Sequence, residues 1–331
     1  MIKIVTRSTK KAAFYLQREK VVAIPTETVY GLAGSIYSDK ALRTIFELKN
    51  RPYYNPLIVH IDAVASLQRV AVNIPDKVYE LAAHFWPGPL TFILEKHPSI
   101  SDYITAGRST VAVRMPNHPL TLELLQKVGV PLAAPSANPF GSISPTTAQH
   151  VFSYFKKDLE VILDGGPCDF GIESTIVGFE NNELVVYRLG SITLEALESV
   201  VGKVSLKTHA EDHPKAPGML SKHYAPQTPL VLTPQIESLA QQLLGQNVGL
   251  ILFQKRDFKL PYCTEILSEM GSLEEAARHL YDTLHRMDKK GFDLLLIEPF
   301  PDEGLGRALN DRLKRASITE THYTSKNVFC V

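Results

Sequence analysis

Cysteine is scarce in this chain: Cys168, Cys263 and Cys330 are the only three among 331 residues, and no two form a CxxC pair. That spacing excludes a disulfide framework, offers no zinc-ligand pattern and suits a reducing compartment. Net charge is lacking too, since 35 Lys and Arg side chains stand against 35 Asp and Glu. The balance holds locally, with 20 basic and 19 acidic side chains in residues 1–206 and 15 and 16 in residues 207–331. Neither part is a dedicated nucleic-acid arm. A weak RNA contact would have to come from a local basic patch, which a balanced total leaves open. Long apolar runs are absent as well. The opening MIKIVTRSTKKAAFYLQ has no signal-peptide core, and nothing approaches the roughly 18 apolar residues of a membrane span. A cytoplasmic protein without membrane association is expected.

The common signatures of nucleotide and hydrolase chemistry are also missing. There is no GxxxxGK[ST] loop, no kinase signature set, no GxSxG elbow and no HExxH. The glycines of LDGGPCDFG and GLGRAL do not fit GxGxxG and read better as a turn and a helix start. No cluster of Asp, Glu, His or Cys has metal-ligand spacing, so no metal-binding residue is assigned.

What is present is a soluble, globular composition, 44% hydrophobic and 21% charged, in a chain long enough for two cores. Ser8 and Thr9 precede a helical stretch to about Arg18, and VVAIPTETVYGLAG reads as a buried strand leaving into a loop marked by Pro25. Ser38-Asp39 caps a helix that runs to Lys49 and delivers KNRPYYNP into a loop before the strand LIVHI. Further strands are expected at 91–95, 110–115, 161–164, 174–179 and 184–189, with helices near 75–85, 118–128, 145–155 and 193–200. The fold class is α/β: a mixed, twisted-sheet domain with helices over residues 1–206, then a proline-rich extended linker at 207–229. A small Rossmann-like parallel α/β domain follows at 230–331, built from PLVLT, NVGLILF, DLLLIEPF and the helices between and after them.

Four polar segments interrupt strands of the first domain: PTETVYGL, KNRPYYNPLIVH, RMPNHP with APSANPFGSISPT, and GGPCDFGIEST. Together they gather hydroxyls and cations at strand ends, as a phosphate and carboxylate site requires. Lys49 and Arg51, two residues apart at a helix end, can reach one phosphate chain; by spacing alone they also fit a solvated pair drawn to the helix dipole. Ser136, Asn138, Ser142 and Ser144 crowd one loop, where Ser144-Pro145 reads as an N-cap followed by proline in the first turn. A helix N-terminus there would favour phosphate; a capped turn with no ligand fits equally. Arg114 ends a strand, where a fixed guanidinium suits a carboxylate or a structural ion pair. His60, on LIVHI, is by itself as compatible with a satisfied core histidine as with a ligand contact.

PTETVYGL, KxRP with NPLIVH, WPGPLT, VAVRMP, APSANPFGSISPT and IESTI occur in the order found in YrdC-like threonylcarbamoyl-AMP synthases, which the chain resembles over nearly its whole length. SKHYAP and GLGRALNDRLKRAS resemble the long, two-domain form of that family. The resemblance implies a nucleotidyltransferase that joins L-threonine, bicarbonate and ATP into threonylcarbamoyl-AMP and pyrophosphate. By resemblance the product passes to a downstream tRNA threonylcarbamoyl-transfer complex. It also implies ATP contacts at Lys49, Arg51, Asn55, Thr110, Ser136, Asn138, Ser144, Arg188 and Tyr224, with Lys49 and Arg51 as the catalytic cations. Threonine contacts are implied at Thr28, His60, Arg114 and Ser174.

Magnesium is expected to be held mainly by the ATP phosphates, with Asp164 and Glu173 as candidate outer helpers. Lys222, His223 and Tyr224 would ride on a tether able to fold over the nucleotide as a lid. The competing readings are a carbamoyl transferase of metal-centre maturation and a non-catalytic RNA-binding module. The first lacks its accompanying zinc-finger and acylphosphatase segments here, and the second is disfavoured by neutral charge.

Overall fold

A computed structural model of the chain describes residues 4–156, 158–181, 183–208, 223–257 and 261–318. They form two compact units, residues 4–140 with 144–208, and residues 141–143 with 223–318. The stretch 209–222, most of the expected linker including Lys222, lies outside the described residues, as does Cys330.

The strands of the first unit are β1 (Ile4–Thr6), β2 (Val22–Ile24), β3 (Gly31–Ser35), β4 (Ile58–His60), β5 (Leu90–Glu95) and β6 (Thr110–Arg114). They continue with β7 (Leu132–Ala133), β8 (Val161–Leu163), β9 (Thr175–Glu180), β10 (Glu183–Arg188) and β11 (Ser205–Leu206). They join in one mixed sheet in the order β1-β8-β2-β3-β7-β4-β6-β5-β9-β10-β11. VVAIPTETVYGLAG is not one strand. Its polar centre is a loop, and β2 and β3 return antiparallel on either side of it, with Ile24 opposite Gly31. PTETVY is thus held at both ends by the sheet.

Side-chain alternation sorts the middle of this sheet into two faces. On one, Val111 and Val113 of β6 pack with Phe92, Leu94, Val177, Leu184 and Val186 in the largest apolar core. A Leu-to-Ala change in such a layer costs about 2–5 kcal/mol. On the other, Ala112 meets Ile58, Ile176, Val185 and Tyr187. Thr110 and Arg114 share the face of Ala112 by alternation, and His60 that of Ile58.

The helices of this unit are α1 (Thr9–Leu16), α2 (Asp39–Lys49), α3 (Asp76–Phe85), α4 (Asp102–Thr105), α5 (Pro119–Val128), α6 (Ala148–Phe155) and α7 (Leu194–Val201). In α2 the Ser38 hydroxyl accepts from the Ala41 amide at 3.1 Å, and the buried stripe is Ala41, Leu42, Ile45, Phe46 and Lys49. Lys49 therefore continues the apolar face at helical spacing. The helix stops at Asn50, whose φ of 49° lies in the left-handed region that Asn tolerates.

The expected cap at Ser144 is not formed. Helix α6 begins three residues later, with Thr147 as N-cap accepting from the His150 amide at 3.2 Å. Both sites offer a hydroxyl before a helical run, and the Ser144 hydroxyl is committed elsewhere, to Glu173 at 2.6 Å.

The second unit holds β12 (Leu230–Leu232), β13 (Val248–Gln254), β14 (Cys263–Ser268) and β15 (Leu294–Ile297), with α8 (Ile236–Gln242), α9 (Leu273–Asp288) and α10 (Gly304–Ala316). The strands are all parallel, in the order β12-β15-β13-β14. Strand β14, CTEILS, has a weak apolar pattern and escapes the sequence reading. Among the described residues no helix is long and apolar enough to cross a membrane.

Candidate active site

Lys49 is 1% exposed. Its Nζ donates to the carbonyl oxygens of Ser136, at 2.5 Å, and Asn138, at 2.6 Å, and its own carbonyl accepts from the Phe140 amide at 2.7 Å. The solvated helix-end reading is thereby excluded. Burial first, and the Arg51 charge second, pull the Lys49 ammonium well below the ordinary lysine range. An arriving polyanion would stabilise the charged form here.

Arg51 is also buried. It folds back on its own loop, donating from Nε to the Asn55 carbonyl at 3.1 Å, and from one terminal nitrogen to Asn55 Oδ1 and the Pro56 carbonyl, both at 2.7 Å. Three acceptors fix the RPYYNP loop around the guanidinium, so Arg51 and Asn55 act as one rigid group.

Arg114 and His60 are direct partners in the parallel register of β4 and β6. The Arg114 guanidinium donates to Thr28 Oγ1 at 2.9 Å and to the Gly88 carbonyl at 3.2 Å. A terminal nitrogen also lies 2.6 Å from Glu27 Oε1. Both ion-pair partners are buried, Glu27 being 1% exposed. Thr28 Oγ1 further pairs with Thr26 Oγ1 at 2.9 Å. Burial, then the Arg114 charge, lower the His60 pKa to about 3, which favours the neutral imidazole.

Ser174 stands beside this group. Its hydroxyl shares a hydrogen bond with Thr91 at 2.7 Å and accepts from Arg188 at 3.0 Å, while Arg188 also donates to the Ser174 carbonyl at 2.8 and 3.1 Å. Gly190 makes this packing feasible, because a Cβ there would lie 2.4 Å from the Glu173 carbonyl oxygen.

Lys49 is therefore joined to Ser136 and Asn138 by direct contacts, and Arg51 to Asn55. So are Thr28 with Arg114, and Ser174 with Arg188, while His60 is tied to Arg114 through the sheet. Thr110 opens β6, about 13 Å along the strand from Arg114, and lines a cavity of about 680 Å³ with Ile93, Glu95, Gly178 and Tyr187. Tyr224 belongs to the second unit. It is buried, with a φ of 66°, its ring stacked on Tyr281 at 6.0 Å and facing the Arg312 guanidinium at 5.0 Å.

Glu27 escaped the sequence reading. A lone glutamate in a polar loop looks solvated, and only the return of β3 reveals that the loop is enclosed. Among the described residues, no group of three or more His, Cys, Asp or Glu is arranged to hold a metal ion. Within the serine loop, Ser144 donates to the buried Glu173 carboxylate at 2.6 Å.

Residues 15–190 match the Sua5, YciO and YrdC family model, described as telomere recombination. Residues 192–317 match a model described as the C-terminal domain of threonylcarbamoyl-AMP synthase. A threonylcarbamoyl-AMP synthase from Pyrococcus abyssi is 39% identical over 320 residues, covering 92% of this chain and 93% of the relative. One from Bacillus subtilis is 39% identical, covering 93% and 92%. The crystal structure of P. abyssi Sua5 complexed with L-threonine superposes with a TM-score of 0.89 at 37% identity, covering 96% of this chain and 99% of that one. Motifs, both folds and near full-length similarity agree: the chain belongs to the threonylcarbamoyl-AMP synthase family, in its two-domain form.

Proposed function

We propose that this chain condenses L-threonine, bicarbonate and ATP into threonylcarbamoyl-AMP, for threonylcarbamoyladenosine formation in tRNA in the cytoplasm. The observation that carries the assignment of roles is the presence of two separately bonded buried groups, Lys49 with Arg51, and Arg114 with its hydroxyl and imidazole neighbours. An ATP site and an amino-acid site are needed side by side, because the threonyl carbamate oxygen must attack the α-phosphorus as pyrophosphate leaves.

Lys49, Arg51, Asn55, Ser136, Asn138, Ser144 and Arg188 hold the phosphates and ribose in this reading. Thr110 and its cavity take the base end of the nucleotide. Anion must meet anion in the reaction, so the contribution of Lys49 and Arg51 is to offset charge as it builds on the phosphates. Thr28, His60, Arg114 and Ser174 take threonine, and the neutral His60 serves its hydroxyl. Mg²⁺ arrives with ATP as part of that substrate.

Residues 1–206 are the catalytic domain in this proposal, 207–229 the tether and 230–331 the C-terminal domain. Tyr224 closes over the nucleotide. Tyr224→Ala then raises the ATP KM or the hydrolytic loss of intermediate; unchanged values of both remove the lid. The product goes to a downstream tRNA-modifying complex.

Pyrophosphate release that requires ATP, bicarbonate and L-threonine together is the deciding assay. Release at full rate without threonine or without bicarbonate would sink the proposal. Similarity over more than nine-tenths of the chain favours this activity over carbamoyl transfer in metal-centre maturation or a non-catalytic RNA-binding role.

A further inference from the structure

Arg114 does not offer a net positive charge. Its guanidinium is matched at 2.6 Å by the carboxylate of Glu27, and both groups are at least nine-tenths buried. His60, the register partner of Arg114, is pushed toward its neutral form by burial and by the Arg114 charge. The Arg114 and Glu27 charges cancel as a pair, with the positive and negative members side by side. Ligands that are simple anions gain little from such a pair, because whatever attraction Arg114 supplies, Glu27 offsets at nearly the same distance.

The geometry also leaves hydrogen-bonding capacity unused. Neither Glu27 carboxylate oxygen accepts a hydrogen bond among the described residues, and the Arg114 nitrogen facing it donates none. The ion pair is close in distance without an N–H aimed along it. Leaving a buried carboxylate with open lone pairs is unfavourable unless a ligand completes it. Arg114 Nε and its other terminal nitrogen donate to Gly88 and Thr28, which holds the guanidinium plane in place and leaves further N–H groups for a ligand.

We infer that Glu27 is a specificity-determining residue of the amino-acid site, pairing with Arg114 to select a zwitterion: the ligand's carboxylate meets Arg114 and its ammonium meets Glu27. This rests on the threonine-site reading above and sharpens it. Bicarbonate, pyrophosphate and hydroxy acids are anions without a cationic partner group, and the pair discriminates against all three. Threonine, carrying both charges on adjacent carbons, satisfies both members at once.

The test compares three ligands on the full-length chain by calorimetry: L-threonine, 3-hydroxybutanoate, which lacks the amine, and 2-amino-1,3-butanediol, which lacks the carboxylate. In the unaltered chain, loss of either charged group weakens binding by at least about tenfold. In Glu27→Gln the preference moves the opposite way for the two acids. Threonine weakens about tenfold or more, and 3-hydroxybutanoate tightens, because Arg114 is relieved of its counter-charge.

A structural role for Glu27 would weaken both acids alike, and that outcome overturns the inference. Binding of 3-hydroxybutanoate to the unaltered chain within about threefold of threonine overturns it too, and this arm stands if the variant does not fold. Failure of threonine to bind the unaltered chain in every condition would remove the underlying site reading instead, and the inference with it.

Discussion

The Nζ of Lys49 lies 2.5 Å from the carbonyl oxygen of Ser136, across 87 residues of sequence. A cation at the end of α2 is thereby built into the serine-rich loop after β7, and two of the polar segments become one object. The second bond, to Asn138, makes the ammonium a bracket for the loop as well as a charge for a phosphate.

Lys49→Met keeps the apolar stem and removes the charge. ATP-dependent pyrophosphate release should fall by about 10²-fold or more, with threonine affinity changed much less. Release at the unaltered rate would remove Lys49 from the reaction.

Arg114→Ala should lose about 2–5 kcal/mol of threonine binding, because the ligand carboxylate loses its buried guanidinium partner. The ATP KM should stay within about threefold, because the Lys49 group is bonded separately. A normal threonine Kd in this variant contradicts the carboxylate assignment.

Ser144 and Thr147 separate catalysis from capping. Thr147→Ala should cost about 1 kcal/mol of stability through the lost cap of α6, with activity intact. Ser144→Ala should instead raise the ATP KM about tenfold, by freeing the buried Glu173 carboxylate from its hydrogen bond. Thermal melts and steady-state kinetics on the pair decide the matter; equal effects of the two changes would place both residues in the helix cap alone.

His60 gives a pH signature. Its folded pKa is pulled down to about 3 by burial and by Arg114, whereas an unfolded histidine binds a proton near pH 6.5. The stability contributed by keeping His60 neutral is complete above about pH 6.5 and is lost progressively as the pH falls toward 3. Denaturant midpoints from about pH 7 down to about pH 4.5 should decline, and less steeply in His60→Gln. Parallel slopes would show that other groups dominate acid unfolding.

Much of this was legible in the sequence, for identifiable reasons. Strand β6 announces itself as TVAVR, and a charge closing such an alternation must sit at a strand end, so Arg114 was findable. The apolar spacing of Leu42, Ile45 and Phe46 already extends to Lys49, and that period outweighs the usual expectation that lysine is solvated. Glu27 and the cap of α6 were not findable. Both depend on which polar atom wins a partner distant in sequence: Glu27 on Arg114, and Ser144 on Glu173 rather than on the nearby amides that Thr147 could equally serve. Local pattern carries no record of such competition.

Asn50 separates Lys49 from Arg51 and looks like a spacer, yet its left-handed backbone gives it a different standing. The two cations can flank one turn only if the residue between them tolerates a positive φ, a state that costs ordinary side chains roughly 1–2 kcal/mol and β-branched ones more. The middle letter of the K-x-R triplet is therefore not free to drift. In a library randomised at this codon, survivors selected for activity should be dominated by asparagine, glycine and aspartate, and a valine or isoleucine should be lost although it touches no substrate.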